Sequence, residues 1–232
     1  MTNKKRCIAI IPARSGSKRI KNKNIKKFLK KPILYYPVKT AIKSGCFDEV
    51  YVSTNSIKIA KLAISYGAKV PYLRSKKLSN DVASTISVIS DFIKFLKKKK
   101  KNYDFICCIY PTSVFLKKSH LLNALKKLKN NKTNYVVSVT EFTQPIERSF
   151  EIKNDLIYKS MKKKYFFSNS NTFKKKYHDA AQFYFGKSLS FEKKKPVLSK
   201  GSSIIVIKKY HSIDINSDSD WKMAELIYKN FH

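Results

Sequence analysis

Short apolar runs closed by turn residues alternate along this chain with longer stretches whose apolar positions recur at helical spacing. The first run, residues 6–12 (Arg-Cys-Ile-Ala-Ile-Ile-Pro), is β-branched in character and closed by proline, which predicts a buried parallel strand. A loop to about residue 32 follows. An amphipathic stretch at 33–44 ends in a turn at Gly45, and 49–53 (Glu-Val-Tyr-Val-Ser) reads as a second strand. The pattern then repeats. Residues 56–66 are helical by periodicity and stop at Gly67, 69–73 are extended, and 84–100 form a helix with a Lys-rich tail. A third buried strand is predicted at 104–110 (Asp-Phe-Ile-Cys-Cys-Ile-Tyr), followed by a helix at 117–129 and a strand at 134–140.

Strands alternating with helices of ten or more residues imply βαβ units, hence an α/β, Rossmann-like layer: a mostly parallel sheet with helices on both faces. Between about 141 and 201 the regularity fails. Pro145, a polar run at 168–176 and an isolated apolar patch at 181–185 predict an arm that leaves the sheet. The chain returns through Ile204–Ile207 and ends in a helix from about Ser217 to Phe231. No internal repeat and no linker interrupts it, so the expectation is a single domain over 1–232 with an inserted arm at about 141–201.

Composition adds a question about partners. Fifty Lys+Arg against 15 Asp+Glu give a formal charge of +35, which taken alone suggests nucleic acid or an anionic membrane. Yet only five of the fifty are arginine (Arg6, Arg14, Arg19, Arg74, Arg148), whereas phosphate and base-edge readers rely on the planar Arg fork. The Lys runs at 97–101, 162–164, 174–176 and 193–195 read as solvated helix ends and loops. The charge is therefore read as drift in a lysine-rich proteome. A non-enzymatic nucleic-acid-binding protein is the alternative from another class, and no helix-turn-helix, RRM or zinc pattern supports it. No run approaches the ~20 apolar residues of a membrane span, and the first strand begins too early for a signal peptide, so a cytoplasmic protein is expected. The four cysteines (Cys7, Cys46, Cys107, Cys108) contain no C-x-x-C and read as reduced, packed thiols.

The chemistry is foreshadowed after the first strand. Pro12-Ala13-Arg14-Ser15-Gly16-Ser17-Lys18-Arg19 stands where α/β sheets place ligands. Small residues let backbone N–H groups close around phosphate oxygens, and Arg14, Lys18, Arg19 and Lys23 offer charge to a triphosphate. The P-loop spacing is absent. In order along the chain come Ala13-Arg14-Ser15-Gly16-Ser17-Lys18, Lys23-Asn24-Ile25, Val52-Ser53-Thr54-Asn55, Leu73-Arg74, Asp81-Val82-Ala83-Ser84-Thr85 and Pro111-Thr112-Ser113. This ordered set resembles the cytidylyltransferases that activate acidic nonulosonic sugars as their CMP derivatives, over about residues 6 to 228. Three segments look like the pseudaminic acid branch: Cys107–Thr112, Thr140–Arg148 and Tyr177–Tyr184. Sialic-acid enzymes usually carry Gln where Tyr110 stands and Asn-Gly where His178-Asp179-Ala180 stands.

The resemblance implies a nucleotide-diphospho-sugar-transferase type of fold and attack of the sugar's anomeric hydroxyl on the α-phosphorus of CTP, with Mg²⁺ as cofactor. It implies catalytic charge from Arg14, Lys18 and Lys23. Ala13, Arg14, Ser15, Ser17 and Asn24 would hold the nucleotide, and Arg74, the main chain at Ala83, and Ser84 or Thr85 would select cytosine. Tyr110, Thr112, His178, Asp179 and Gln182 become the sugar-side candidates. The metal would fall at Asp214 and Asn216, which alternation puts on one side of an extended segment; the family commonly has a second carboxylate where Asn216 stands. Asp218 and Asp220 are expected to favour the positive N-terminus of the last helix. A further departure is Ser170-Asn171-Thr172-Phe173, where the branch usually shows an Arg-(Ser/Thr)-Gln-like segment. A homodimer is also implied, through arm residues such as Phe142, Ile146, Phe150, Phe166 and Phe167. N-Acetylneuraminic, legionaminic or a related ulosonic acid is the alternative substrate.

Overall fold

The computed structural model describes residues 5–130, 133–159, 165–169 and 172–231. From the N-terminus the elements are β1 (Cys7–Pro12), two short strands β2 (Lys27–Phe28) and β3 (Lys31–Pro32), α1 (Tyr35–Ser44), β4 (Glu49–Ser53) and α2 (Ile57–Ser65). Next come α3 (Thr85–Lys98), β5 (Phe105–Ile109), α4 (Lys118–Asn130) and β6 (Tyr135–Glu141). The hairpin β7 (Glu151–Lys153) and β8 (Leu156–Lys159) precedes β9 (Tyr177–Lys187), α5 (Ser188–Glu192), β10 (Ser203–Val206) and α6 (Asp218–Phe231).

Six strands form one sheet in the order β10-β6-β9-β5-β1-β4. β1 lies parallel to β4 and β5, and β10 parallel to β6. The side chains of β1 from Cys7 to Ile11 pack on one face or the other, which is why the run reads as continuously apolar. Cys7, Ala9 and Ile11 join Val38, Ala63 and Leu121 from α1, α2 and α4, while Ile8 and Ile10 join Ile89, Phe92 and Phe191 from α3 and α5. Cys107 and Cys108 likewise fall on opposite faces. All four cysteines are free and buried, and burial pushes their thiols above the usual range, as packed, unreactive thiols require. A third cluster, with Phe28, Ile33, Phe115 and Trp221, ties α6 to the loop after β1.

Two expectations change. Residues 69–73 make only isolated parallel bridges beside β4, Tyr51 to Lys69 and Thr54 to Leu73. More important, residues 177–187 are no excursion: β9 is inserted between β5 and β6, antiparallel to both. Its apolar half (Phe183, Tyr184, Phe185) fills the core, and α5 continues from it to bury Phe191. The segment that departs from the sheet is thus about 142–176, with the exposed β7–β8 hairpin in it. The Lys run at 162–164 and the Ser170-Asn171 pair lie outside the described residues.

Gly186 makes the central position of β9 possible. It pairs with Tyr135 of β6, and a Cβ at this position would stand 2.4 Å from a ring carbon of that buried tyrosine and 3.0 Å from the Asn134 carbonyl. Gly186→Ala is therefore expected to cost about 1–3 kcal/mol through overpacking, read as a lower urea midpoint at constant slope. An unchanged midpoint would show that the strand is not clamped there.

Candidate active site

Parallel strands end on the same edge of a sheet, so β1, β4 and β5 deliver their following loops to one place. β9 runs the other way, and its first residues therefore arrive at that same edge. Together with the segment before α6 they enclose a cavity of about 670 Å³. Its walls include Arg14, Ser17, Lys18, Arg19, Lys23 and Asn24 after β1, and Arg74, Asp81, Ala83 and Thr85 around the start of α3. Tyr110, Pro111 and Thr112 follow β5, Asp179 and Ala181 come from β9, and Asp214 and Asn216 precede α6. Three of the five arginines converge here, against two of the 45 lysines. A chain that uses lysine almost everywhere has kept the planar fork where bidentate anion binding has geometric value.

The loop after β1 is held from both sides. The Asn24 side-chain amide donates to the Arg14 carbonyl at 2.8 Å, and Asn55 Oδ1 accepts the Ser15 N–H at 2.8 Å. Gly16 takes a positive φ of 80°, a left-handed turn that a β-carbon disfavours. The Arg14 guanidinium bonds Asp81, whose other oxygen accepts Lys18 at 3.0 Å. Those two cations hold the Asp81 carboxyl below the usual range. Lys23 Nζ donates to the Ile215 carbonyl at 2.6 Å; burial lowers its pKa, and Asp214 pulls the other way.

Arg74 is only 5% exposed; its Nε donates to Ser79 Oγ at 3.3 Å and its backbone N–H to the Thr54 carbonyl at 2.7 Å. Desolvation brings its pKa down to about 10, which leaves it a cation at neutral pH. Thr85 Oγ1 lies 3.5 Å from the Tyr110 phenol, which donates to Tyr184 at 3.3 Å, and Tyr184 donates to Asp179. Asp179 also accepts the Ala181 N–H at 2.8 Å. At the other end, Asp214 Oδ2 accepts the Asn216 side-chain amide at 2.6 Å. Asp220 caps α6 reciprocally with Ser217, as a capping box, and Asp218 pairs with Lys26 at 2.7 Å.

Most sequence-predicted site residues meet at this cavity, but five do not line it. Ala13 is fully buried and its N–H bonds the Ser53 carbonyl. Ser15 faces Asn55 and supports the loop from behind. Ser84 is the N-cap of α3, its hydroxyl accepting the Ser87 N–H. His178 is exposed, with its ring 4.7 Å from Phe142. Gln182 is buried and donates to the His211 carbonyl at 2.7 Å. The Ala83 N–H, although at the cavity, is engaged by Asn80 Oδ1 at 2.9 Å. Sequence reasoning gave no role to Asn55, Asn80, Asp81 or Tyr184. Asn55, Asp81 and Tyr184 each stood inside a quoted motif and could have been found there, whereas Asn80 lies just before one.

Among the described residues no group of three or more His, Cys, Asp or Glu could hold a metal. Asp214 and Asn216 offer one carboxylate and one amide, side by side on the cavity wall. This is a hard, oxygen-bearing pair that suits Mg²⁺ only when the nucleotide supplies further oxygens.

A family model described as "Cytidylyltransferase" matches residues 8–215. The pseudaminic acid cytidylyltransferase of Campylobacter jejuni is 38% identical over 226 residues, 97% of each chain. The CMP-N,N'-diacetyllegionaminic acid synthase of Legionella pneumophila is 31% identical over 227 residues, 95% of each chain. Among solved structures, a CMP:2-keto-3-deoxy-manno-octonic acid synthetase complexed with CTP superposes with a TM-score of 0.71 at 10% identity, covering 97% of this chain and 98% of that one. That likeness is one of fold. The family match runs from β1 to the Asp214 segment, the stretch from which every cavity-wall residue but Asn216 is drawn, and this chain, a nucleotidyltransferase, belongs to the cytidylyltransferase family.

Proposed function

We propose that the chain transfers CMP from CTP to the anomeric hydroxyl of pseudaminic acid. The hydroxyl oxygen forms a bond to the α-phosphorus, the bond to the β-phosphate oxygen breaks, and pyrophosphate and the hydroxyl proton depart. The observation that carries this reading is the 38% identity, over 97% of both chains, to the Campylobacter jejuni enzyme of that name. The cavity suits the chemistry, because nucleotidyl transfer asks a protein mainly to position its reactants and to neutralise charge.

In this reading Arg14, Lys18 and Lys23 meet the triphosphate. Asp81 holds the first two in place, and phosphate oxygens exchange with its carboxylate. Asn24 keeps the loop in shape through the Arg14 carbonyl. Arg74 and Thr85 face the cytosine, while Tyr110, Thr112 and Asp179 form the sugar side. Asp214 and Asn216 would hold Mg²⁺, which when bound shields phosphate charge. Four unpaired thiols fit a reducing compartment such as the cytoplasm, and among the described residues no helix is long and apolar enough to cross a membrane. The apolar side chains of the arm, Phe150 at 51% exposure and Phe167 at 97% among them, are assigned to a second copy of the chain.

A pyrophosphate-release assay with CTP or UTP against a panel of nine-carbon acidic sugars tests the reading. CTP with pseudaminic acid should be the best pair; equal use of UTP, or preference for another sugar, would overturn the corresponding half. Arg14→Ala should lower turnover by roughly two orders of magnitude with folding intact.

Asp214→Ala should nearly abolish activity, whereas Asn216→Asp should lower the Mg²⁺ concentration that gives half-maximal rate. An Asp214→Ala enzyme with an unchanged Mg²⁺ requirement would place the metal elsewhere. Sedimentation at micromolar concentration should show a dimer, and a monomer would remove the role given to the arm.

A further inference from the structure

The cavity is lined by three carboxylates, and each is held differently. Asp81 is ion-paired to Arg14 and Lys18. Asp214 lies against the Asn216 amide and close enough to Lys23 to act on its charge. Asp179 is held by two neutral donors, the Ala181 N–H at 2.8 Å and the Tyr184 phenol, and among the described residues it forms no ion pair. A carboxylate has about four acceptor positions, so two directions remain for a ligand.

Both restraints on Asp179 are built into β9. Ala181 has a φ of +49°, which a non-glycine residue adopts at a cost, and its N–H is thereby turned onto Asp179. Tyr184 is nearly buried, with its ring edge-on to Tyr110 at 5.5 Å and 90°. Burial raises the pKa of both phenols, that of Tyr110 to about 12, so both keep their protons at neutral pH. The donors therefore run in one direction, from Tyr110 to Tyr184 to Asp179, starting beside Thr85 at the head of α3.

We propose that Tyr184 is a positioning residue for the sugar, holding Asp179 where its carboxylate accepts a hydrogen bond from an N–H or O–H group of the acidic substrate. This rests on the reading of the cavity as a cytidylyltransferase site for an acidic sugar. The charge distribution adds direction: Asp179 repels the sugar's own carboxylate, and Arg14, Lys18, Arg19 and Lys23 attract it. The neutral, donor-bearing part of the sugar is left facing Asp179.

Steady-state kinetics of Tyr184→Phe, Asp179→Ala and the double variant test this, with the unfolding midpoint and calorimetric CTP binding as controls for folding. Tyr184→Phe should raise KM for the sugar about tenfold, the scale of one hydrogen bond to a charged group. KM for CTP and kcat at saturating sugar should stay within about threefold. In the Asp179→Ala background the same change should add nothing. A sugar KM that does not move, sugar and CTP KM values that rise together, or additive effects in the double variant would overturn the inference.

If Tyr184→Phe does not fold, Asp179→Asn, which keeps the shape but removes the charge that accepts the Tyr184 hydroxyl, should raise the sugar KM and leave the CTP KM in place, and a sugar KM that does not move counts equally against the proposal. A wild-type enzyme that turns over no acidic sugar defeats the underlying reading instead. If the wild type prefers a sibling sugar, the split is measured with that one.

Discussion

Five cationic side chains, Arg14, Lys18, Arg19, Lys23 and Arg74, face one cavity, and their mutual repulsion is the constraint around which the site is arranged. Two like charges ~6 Å apart cost about 3 kcal/mol at an effective dielectric near 20, so such a cluster needs either internal counter-charge or a polyanion. Internal counter-charge is supplied locally: Asp81 bridges Arg14 and Lys18, and Asp214 opposes the desolvation of Lys23. The acids are few and the cations many, so the field in the cavity stays positive. A triphosphate would satisfy that field, and Asp179, which among the described residues forms no ion pair, lies on the wall that the proposed reading leaves for the sugar.

The sheet makes this arrangement possible through a single irregularity. Were β9 parallel to its neighbours, its start would lie at the opposite edge and Asp179 could not meet the loop after β1. Antiparallel insertion between β5 and β6 brings Asp179 opposite Val139, near the end of β6, with a register shift at Val137/Val139 and the left-handed Ala181 close by. The same insertion requires Gly186 where β9 passes Tyr135. Packing at one end of the strand and chemistry at the other thus depend on the same pairing.

The parallel part of the sheet and the charged loop were legible because their signals are local: continuous apolar runs, helical periods and a basic loop directly after a strand. β9 was not, because its polar first half serves the cavity and reads as irregular, leaving only residues 181–185 to look apolar. The errors in the site share that origin. A strand sends alternate side chains to opposite sides, so His178-Asp179-Ala180-Ala181-Gln182 could not all face the cavity. Asp179 and Ala181 do, while His178 meets Phe142 and Gln182 meets the His211 carbonyl. Ser84 was misplaced for a different reason: a serine just before a helix is first of all a cap.

The central claim is that a triphosphate replaces Asp81 as the counter-charge of the loop after β1. A crystal structure of the complex with CTP tests it most directly. The account predicts phosphate oxygens within hydrogen-bond distance of Arg14 and Lys18, with both ion pairs to Asp81 broken. CTP bound with those pairs intact, and its phosphates away from the loop, would contradict it.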